Sequence, residues 1–141
     1  MEIEKILSIS GKPGLYYLIG QSRGGVLVES LADGKRIPVS INKNISALSD
    51  IAIYTYTEEV RLVDVFKSIR ENMEGEDPKP KVSEADLLKQ FRVALPEFDE
   101  DRVYPSHIKK VFSWYNMLKS AGKLDELLVA NPDEEDSSEE E

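Results

Sequence analysis

From Lys5 to Thr57 apolar and polar residues alternate in short runs separated by glycine, proline and asparagine. That period of two is the spacing of strands, whose successive side chains face opposite sides of a sheet. Leu7 and Ile9 form the first run. After the turn Gly11-Lys12-Pro13-Gly14, Leu15, Tyr17 and Ile19 share one face while Tyr16 and Leu18 share the other. Gly20 closes that run, Gly24-Gly25 opens Val26 to Leu31, and Asp33-Gly34 supplies a two-residue hairpin signal. Ile37, Val39 and Ile41 then alternate with Pro38 and Ser40; Pro38 lacks the N–H a ladder needs, which predicts an edge or a bulge. Asn42 to Asp50 is polar and irregular. Ile51 to Thr57 reads as the last strand, with Ile51 and Ile53 on one face and Tyr54 and Tyr56 on the other. Five antiparallel strands of this size predict a small barrel or roll.

Beyond Thr57 the period becomes helical. Thr57 can cap a helix whose first turn holds Glu58 and Glu59 and whose apolar stripe is Leu62, Val65, Phe66, Ile69 and Met73, ending near Gly75. Glu76-Asp77-Pro78-Lys79-Pro80-Lys81 reads as an exposed linker at about 75–82, since each proline disfavours helix before it. Ser83 to Asp86 resembles a capping box ahead of Leu87, Leu88, Phe91 and Leu95, and Pro96 stops that helix. Pro105 suits the first turn of a helix burying Ile108, Val111, Phe112, Tyr115 and Leu118, which Ala121-Gly122 ends. Leu124, Leu127 and Leu128 predict a short last helix. The expected architecture is α+β: a five-stranded antiparallel barrel over 1–57, a domain of three to four helices over 58–131, and a disordered acidic tail over 132–141. A domain of about 60 residues buries only about 60% of its unfolded surface, so the two parts should pack together.

Composition narrows the chemistry. The 141 residues include no cysteine, hence no disulfide, thiolate metal site or cysteine nucleophile. No run reaches the roughly 20 apolar residues of a membrane helix, and Met1-Glu2-Ile3-Glu4-Lys5 does not look like a signal peptide, so a cytoplasmic protein with no membrane partner is expected. Asp133, Glu134, Glu135, Asp136, Glu139, Glu140 and Glu141 supply most of the formal net charge of −9. The barrel is near neutral, with Lys5, Lys12, Arg23, Lys35, Arg36 and Lys43 against Glu2, Glu4, Glu29, Asp33 and Asp50.

No stretch carries a catalytic motif. Gly11-Lys12-Pro13-Gly14 spells a Gly-x-x-Gly backbone clamp, but that clamp joins helices and this turn joins strands. His107, the single histidine, excludes a multi-histidine metal site and is expected exposed or hydrogen-bonded in a first helical turn. Glu97, Asp99, Glu100 and Asp101 lack the central glycine of a calcium loop and read as a solvated connection. Asn44-Ile45-Ser46 spells a glycosylation acceptor, without weight in the absence of a secretory signal. Trp114, beside Tyr115, is expected to bury against the barrel or an earlier helix. The candidate ligand-binding residues are Lys12, Tyr16, Arg23, Lys35, Arg36, Lys43, Tyr54 and Tyr56: tyrosine rings can stack a base or hold a cation, and the basic residues lie at strand turns.

In its glycine-punctuated strands, its Asp33-Gly34 hairpin and its irregular Asn42 to Asp50 segment, the barrel resembles the SH3-like and Tudor-like small barrels. With its Gly11-Lys12-Pro13-Gly14-Leu15-Tyr16, Tyr104-Pro105-Ser106-His107 and Phe112-Ser113-Trp114-Tyr115 stretches, the chain resembles a family of bacterial proteins of unknown function that join such a barrel to a helical domain. The resemblance implies architecture and no particular activity. The expected function is a non-enzymatic binding or adaptor protein, without cofactor or small-molecule substrate, whose barrel face engages a nucleic acid or a protein segment. The alternative is a structural subunit of a larger assembly with no nucleic-acid binding.

Overall fold

The computed structural model describes residues 5–40 and 44–130. Five strands, β1 (Ile6–Ile9), β2 (Lys12–Ser22), β3 (Gly25–Ser30), β4 (Arg36–Ser40) and β5 (Ile45–Ala47), form one antiparallel sheet in the order β4-β3-β2-β1-β5. The α+β class and the five-stranded N-terminal sheet are as expected, but the sheet is open: β4 and β5 are its edges and are not paired with each other, so it does not close into a barrel. The fifth strand also differs. Ile45–Ala47, inside the stretch read as irregular, pairs with β1 through Leu7 opposite Ala47 and Ile9 opposite Ile45. The run read as the last strand instead gives β6 (Ala52–Tyr54), which leaves the large sheet and pairs with β7 (Glu59–Arg61). Pro38 lies, as expected, in an edge strand, where its missing N–H costs no ladder bond. At Asp33-Gly34 only Gly34 has a positive φ, 76°. A two-residue I′ turn needs two such positions; the observed loop is longer, closed by Ser30 N–H donating to the Lys35 carbonyl.

The helix expected to start at Thr57 starts later. Thr55 Oγ1 donates to the Glu58 carbonyl (2.7 Å) and accepts from the Glu58 N–H (3.0 Å), which folds a hairpin tip over Tyr56 and Thr57. Glu59–Arg61 therefore runs back along β6, and α1 spans Leu62–Asn72. The remaining helices are α2 (Glu84–Ala94), capped by Ser83 Oγ accepting from the Asp86 N–H, α3 (Pro105–Ser120) and α4 (Leu124–Ala130). Among the described residues no helix is long and apolar enough to cross a membrane. The segment expected to be an exposed linker is strapped down. Pro78 is buried with its carbonyl accepting from Asn116 Nδ2 (2.8 Å), and Lys79 exchanges two backbone bonds with the Gln90 amide (2.9 Å each).

Two apolar clusters hold these elements. Leu7, Ile9, Val28 and Val39 are buried among Tyr16, Leu18, Val26, Ile37, Ile45 and Ala47, all from β1 to β5, so the sheet's own side chains make this cluster. The opposite face contributes Ile6 and Leu15 to a larger core shared with Leu48, Ile53 and all four helices. In that core Phe91 meets Phe98 and Phe112 edge-on at 4.9 and 5.9 Å, and Phe66 meets Tyr115 at 6.0 Å, arrangements that favour aromatic pairs. At Gly14 (φ 88°) the β2 backbone approaches α3 so closely that a Cβ would lie 2.9 Å from Met117 Cε, while the Leu15 N–H points at Met117 Sδ, 3.2 Å away.

Candidate functional site

The basic residues of the sheet are exposed and do not form a single patch. Lys12 opens β2, Arg23 sits in the β2–β3 turn, and Lys35 and Arg36 lie where β4 begins. Gly25 faces Ser40 and Glu29 faces Arg36, so the Arg23 turn and the Lys35-Arg36 turn lie at opposite ends of the β3–β4 ladder, more than about 13 Å apart. Arg36 Nε is also paired with Glu29 at 3.2 Å. Lys43 lies outside the described residues. Tyr16 is half-buried against the sheet cluster, which leaves little of its ring for a ligand to stack on.

Tyr54 and Tyr56 are exposed, and Tyr54 borders a concavity of about 250 Å³ between β6 and α3. Its floor is apolar: Ile51, Ile53, Val103, Val111 and Trp114. Its rim carries Tyr54, Arg102, His107 and Lys110. The loop between α2 and α3 forms one wall because it docks on the β6 strand line. Asp99 N–H donates to the Tyr54 carbonyl (2.9 Å), Tyr56 N–H donates to the Glu97 carbonyl (3.1 Å), and Thr55 faces Phe98. The buried Asp99 carboxylate then accepts from Arg102 Nε (2.9 Å) and the Asp101 N–H (3.0 Å). The hydrogen bond from Arg102 is the main reason its pKa lies below the ordinary carboxylate value. Held there, the Arg102 guanidinium stands 4.7 Å above the Tyr54 ring.

On the α3 side, Pro105 opens the helix as expected, and His107 is exposed with its Nδ1 accepting from the Tyr104 N–H (3.3 Å). Lys110, one turn on, has no ion-pair partner among the described residues. Trp114 is 9% exposed, buried as expected and part of the floor. Of the residues singled out in the sequence as ligand-binding, this groove includes Tyr54 alone. Arg102 and Lys110 come from a connection and a helix that offer no local signal, because only the β6–α3 docking brings them together. An apolar floor under cations fits a side chain or segment that is apolar at one point and carboxylate at another. Among the described residues no three His, Asp or Glu side chains gather as metal ligands.

The architecture defines an α+β protein in which an open sheet and four helices share one core. Residues 51–118 match a domain of unknown function, DUF6852, and residues 3–48 match a second, DUF5606. A solution NMR structure of a protein from Bacteroides vulgatus is similar at 40% sequence identity, with a TM-score of 0.73, over 85% of this chain and 87% of that one. The chain belongs to that family, whose two domains carry no assigned function. Comparison with curated proteins finds no match. The two matched stretches divide around the turn Leu48–Asp50, and every residue lining the groove falls within 51–118, the DUF6852 stretch.

Proposed function

We propose that the protein is a non-enzymatic, cytoplasmic adaptor that binds a segment of another protein in the groove between β6 and α3. The observation that carries this reading is the groove's composition, an apolar floor bordered by Tyr54, Arg102, His107 and Lys110, the last without an ion-pair partner among the described residues. A protein segment suits it better than a nucleic acid. The sheet cations are split between opposite ends, Arg36 and Arg102 are each matched by a carboxylate, and the whole chain carries a formal net charge of −9. A phosphate backbone asks for a continuous run of free cations.

Trp114 is the single tryptophan and lines the groove, so its emission reports occupancy. Ten-residue peptides selected from a displayed library on the full chain should shift that emission on titration, and Lys110→Glu should weaken them several-fold. Single-stranded poly(dT) and poly(U) should leave the emission unchanged. Failure to enrich any peptide sensitive to Lys110→Glu contradicts the reading. Polynucleotide binding that falls steeply with salt would point to nucleic acid instead.

A further inference from the structure

We propose that the bound segment adds as a β-strand to the free edge of β6, an inference that rests on the peptide-binding reading of the groove. Between β6 and β7 the register is Ala52 to Arg61, Ile53 to Val60 and Tyr54 to Glu59. The Thr55 N–H donates to the Glu58 carbonyl (2.8 Å) and the Leu62 N–H donates to the Ile51 carbonyl (3.3 Å), so the odd-numbered residues bond across to β7. In an antiparallel strand this direction alternates residue by residue. The N–H and C=O groups of Ala52, Tyr54 and Tyr56 therefore point the other way.

On that side the chain already supplies the start of a third strand. Glu97 to Asp99 bonds to Tyr56 and Tyr54, and then stops, because the Asp99 carbonyl accepts from the N–H groups of Arg102 (3.1 Å) and Val103 (2.9 Å) and the backbone coils away. By that alternation both backbone groups of Ala52, the next even-numbered residue along β6, point away from β7 and along the groove. Backbone groups in such a half-covered place call for partners. A guest strand running antiparallel to β6 and beginning beyond Asp99 would meet both groups of Ala52 over three to four residues, a length of about 10–13 Å. Strand addition of this kind draws affinity from main-chain bonds and specificity from alternate side chains. Here those side chains meet Val111 and Trp114 on the floor, and a carboxylate on the guest meets Lys110 and His107 on the rim. The occupant is thus an extended segment of a partner protein with apolar residues at alternate positions and an Asp or Glu among them.

The test uses the full chain and one selected peptide resynthesised with an N-methyl group at each backbone nitrogen in turn. Methylation at alternate positions should weaken binding at least tenfold, and methylation at the positions between should change it little. On the protein side, Ala52→Pro removes the N–H aimed at the groove while sparing the β7 pairing. Ile51 already has φ −98° and ψ 130°, an extended conformation compatible with a following proline. That variant should keep its near-UV dichroism and lose binding at least tenfold. If methylation is tolerated everywhere while Lys110→Glu still weakens binding, strand addition is wrong and the groove reading stands. Insensitivity to both overturns strand addition and the groove reading together. Binding seen only after truncation at Asn131 would make the chain's own acidic tail the occupant and would also overturn the proposal.

Discussion

Asp99 is the side chain on which the groove wall hangs, because one carboxylate holds Arg102 and the Asp101 N–H while its own backbone N–H holds Tyr54. Its pKa is lowered from 3.8, first by the Arg102 hydrogen bond. A depressed folded-state pKa means that the unfolded chain binds the proton more readily. The stabilisation is therefore complete above the unfolded value and fades as pH falls through the folded one. Asp99→Asn should be less stable than the parent near neutrality, with the gap closing below about pH 4 in urea titrations. A gap independent of pH would contradict the assignment. Tyr115 makes the opposite case. It is fully buried, its hydroxyl has no partner among the described residues, and burial pushes its pKa up. An unsatisfied buried hydroxyl costs about 1–3 kcal/mol, so Tyr115→Phe should be at least as stable as the parent in thermal melts. A clear loss would mean that the hydroxyl is bonded, for instance to an ordered water.

Among the elements, legibility followed length and periodicity. The stripes of α1 to α3 stand out because three or four turns repeat the pattern, and Ile108, Val111, Phe112, Tyr115 and Leu118 are all buried as spaced. The strands β1 to β4 are plain too, except that β2 starts at Lys12, inside the stretch read as a turn, and runs on past Gly20, where the run was expected to close. β5 was missed because three residues, only two of them apolar, give no period, and its pairing with β1 is a long-range contact. β7 was missed because Thr57-Glu58-Glu59 is good helix-start chemistry, and what overrides it is the Thr55 side chain closing a hairpin. That override made the site illegible as well. Had α1 begun at Thr57, β6 would have no partner, and its outer edge would not be aimed at α3.

At the scale of the molecule, the sheet buries one face in a cluster of its own and gives the other to the core of the helices. Ile6, Leu15, Leu48 and Ile53 bury with α1 to α4, so residues 1–57 alone should expose that face. Expressed by itself, this fragment should show the poor amide dispersion of an unfolded chain; a well-dispersed spectrum would make the sheet an independent domain. The central claim is that β6 keeps an open edge facing α3 and that a protein segment closes it, and amide hydrogen exchange tests this residue by residue. In the free chain Ile53 and Thr55, bonded to β7, should be protected while Ala52 exchanges quickly. With saturating selected peptide, Ala52 should become protected too. Protection of Ala52 before peptide is added, or its continued fast exchange afterwards, would contradict the account.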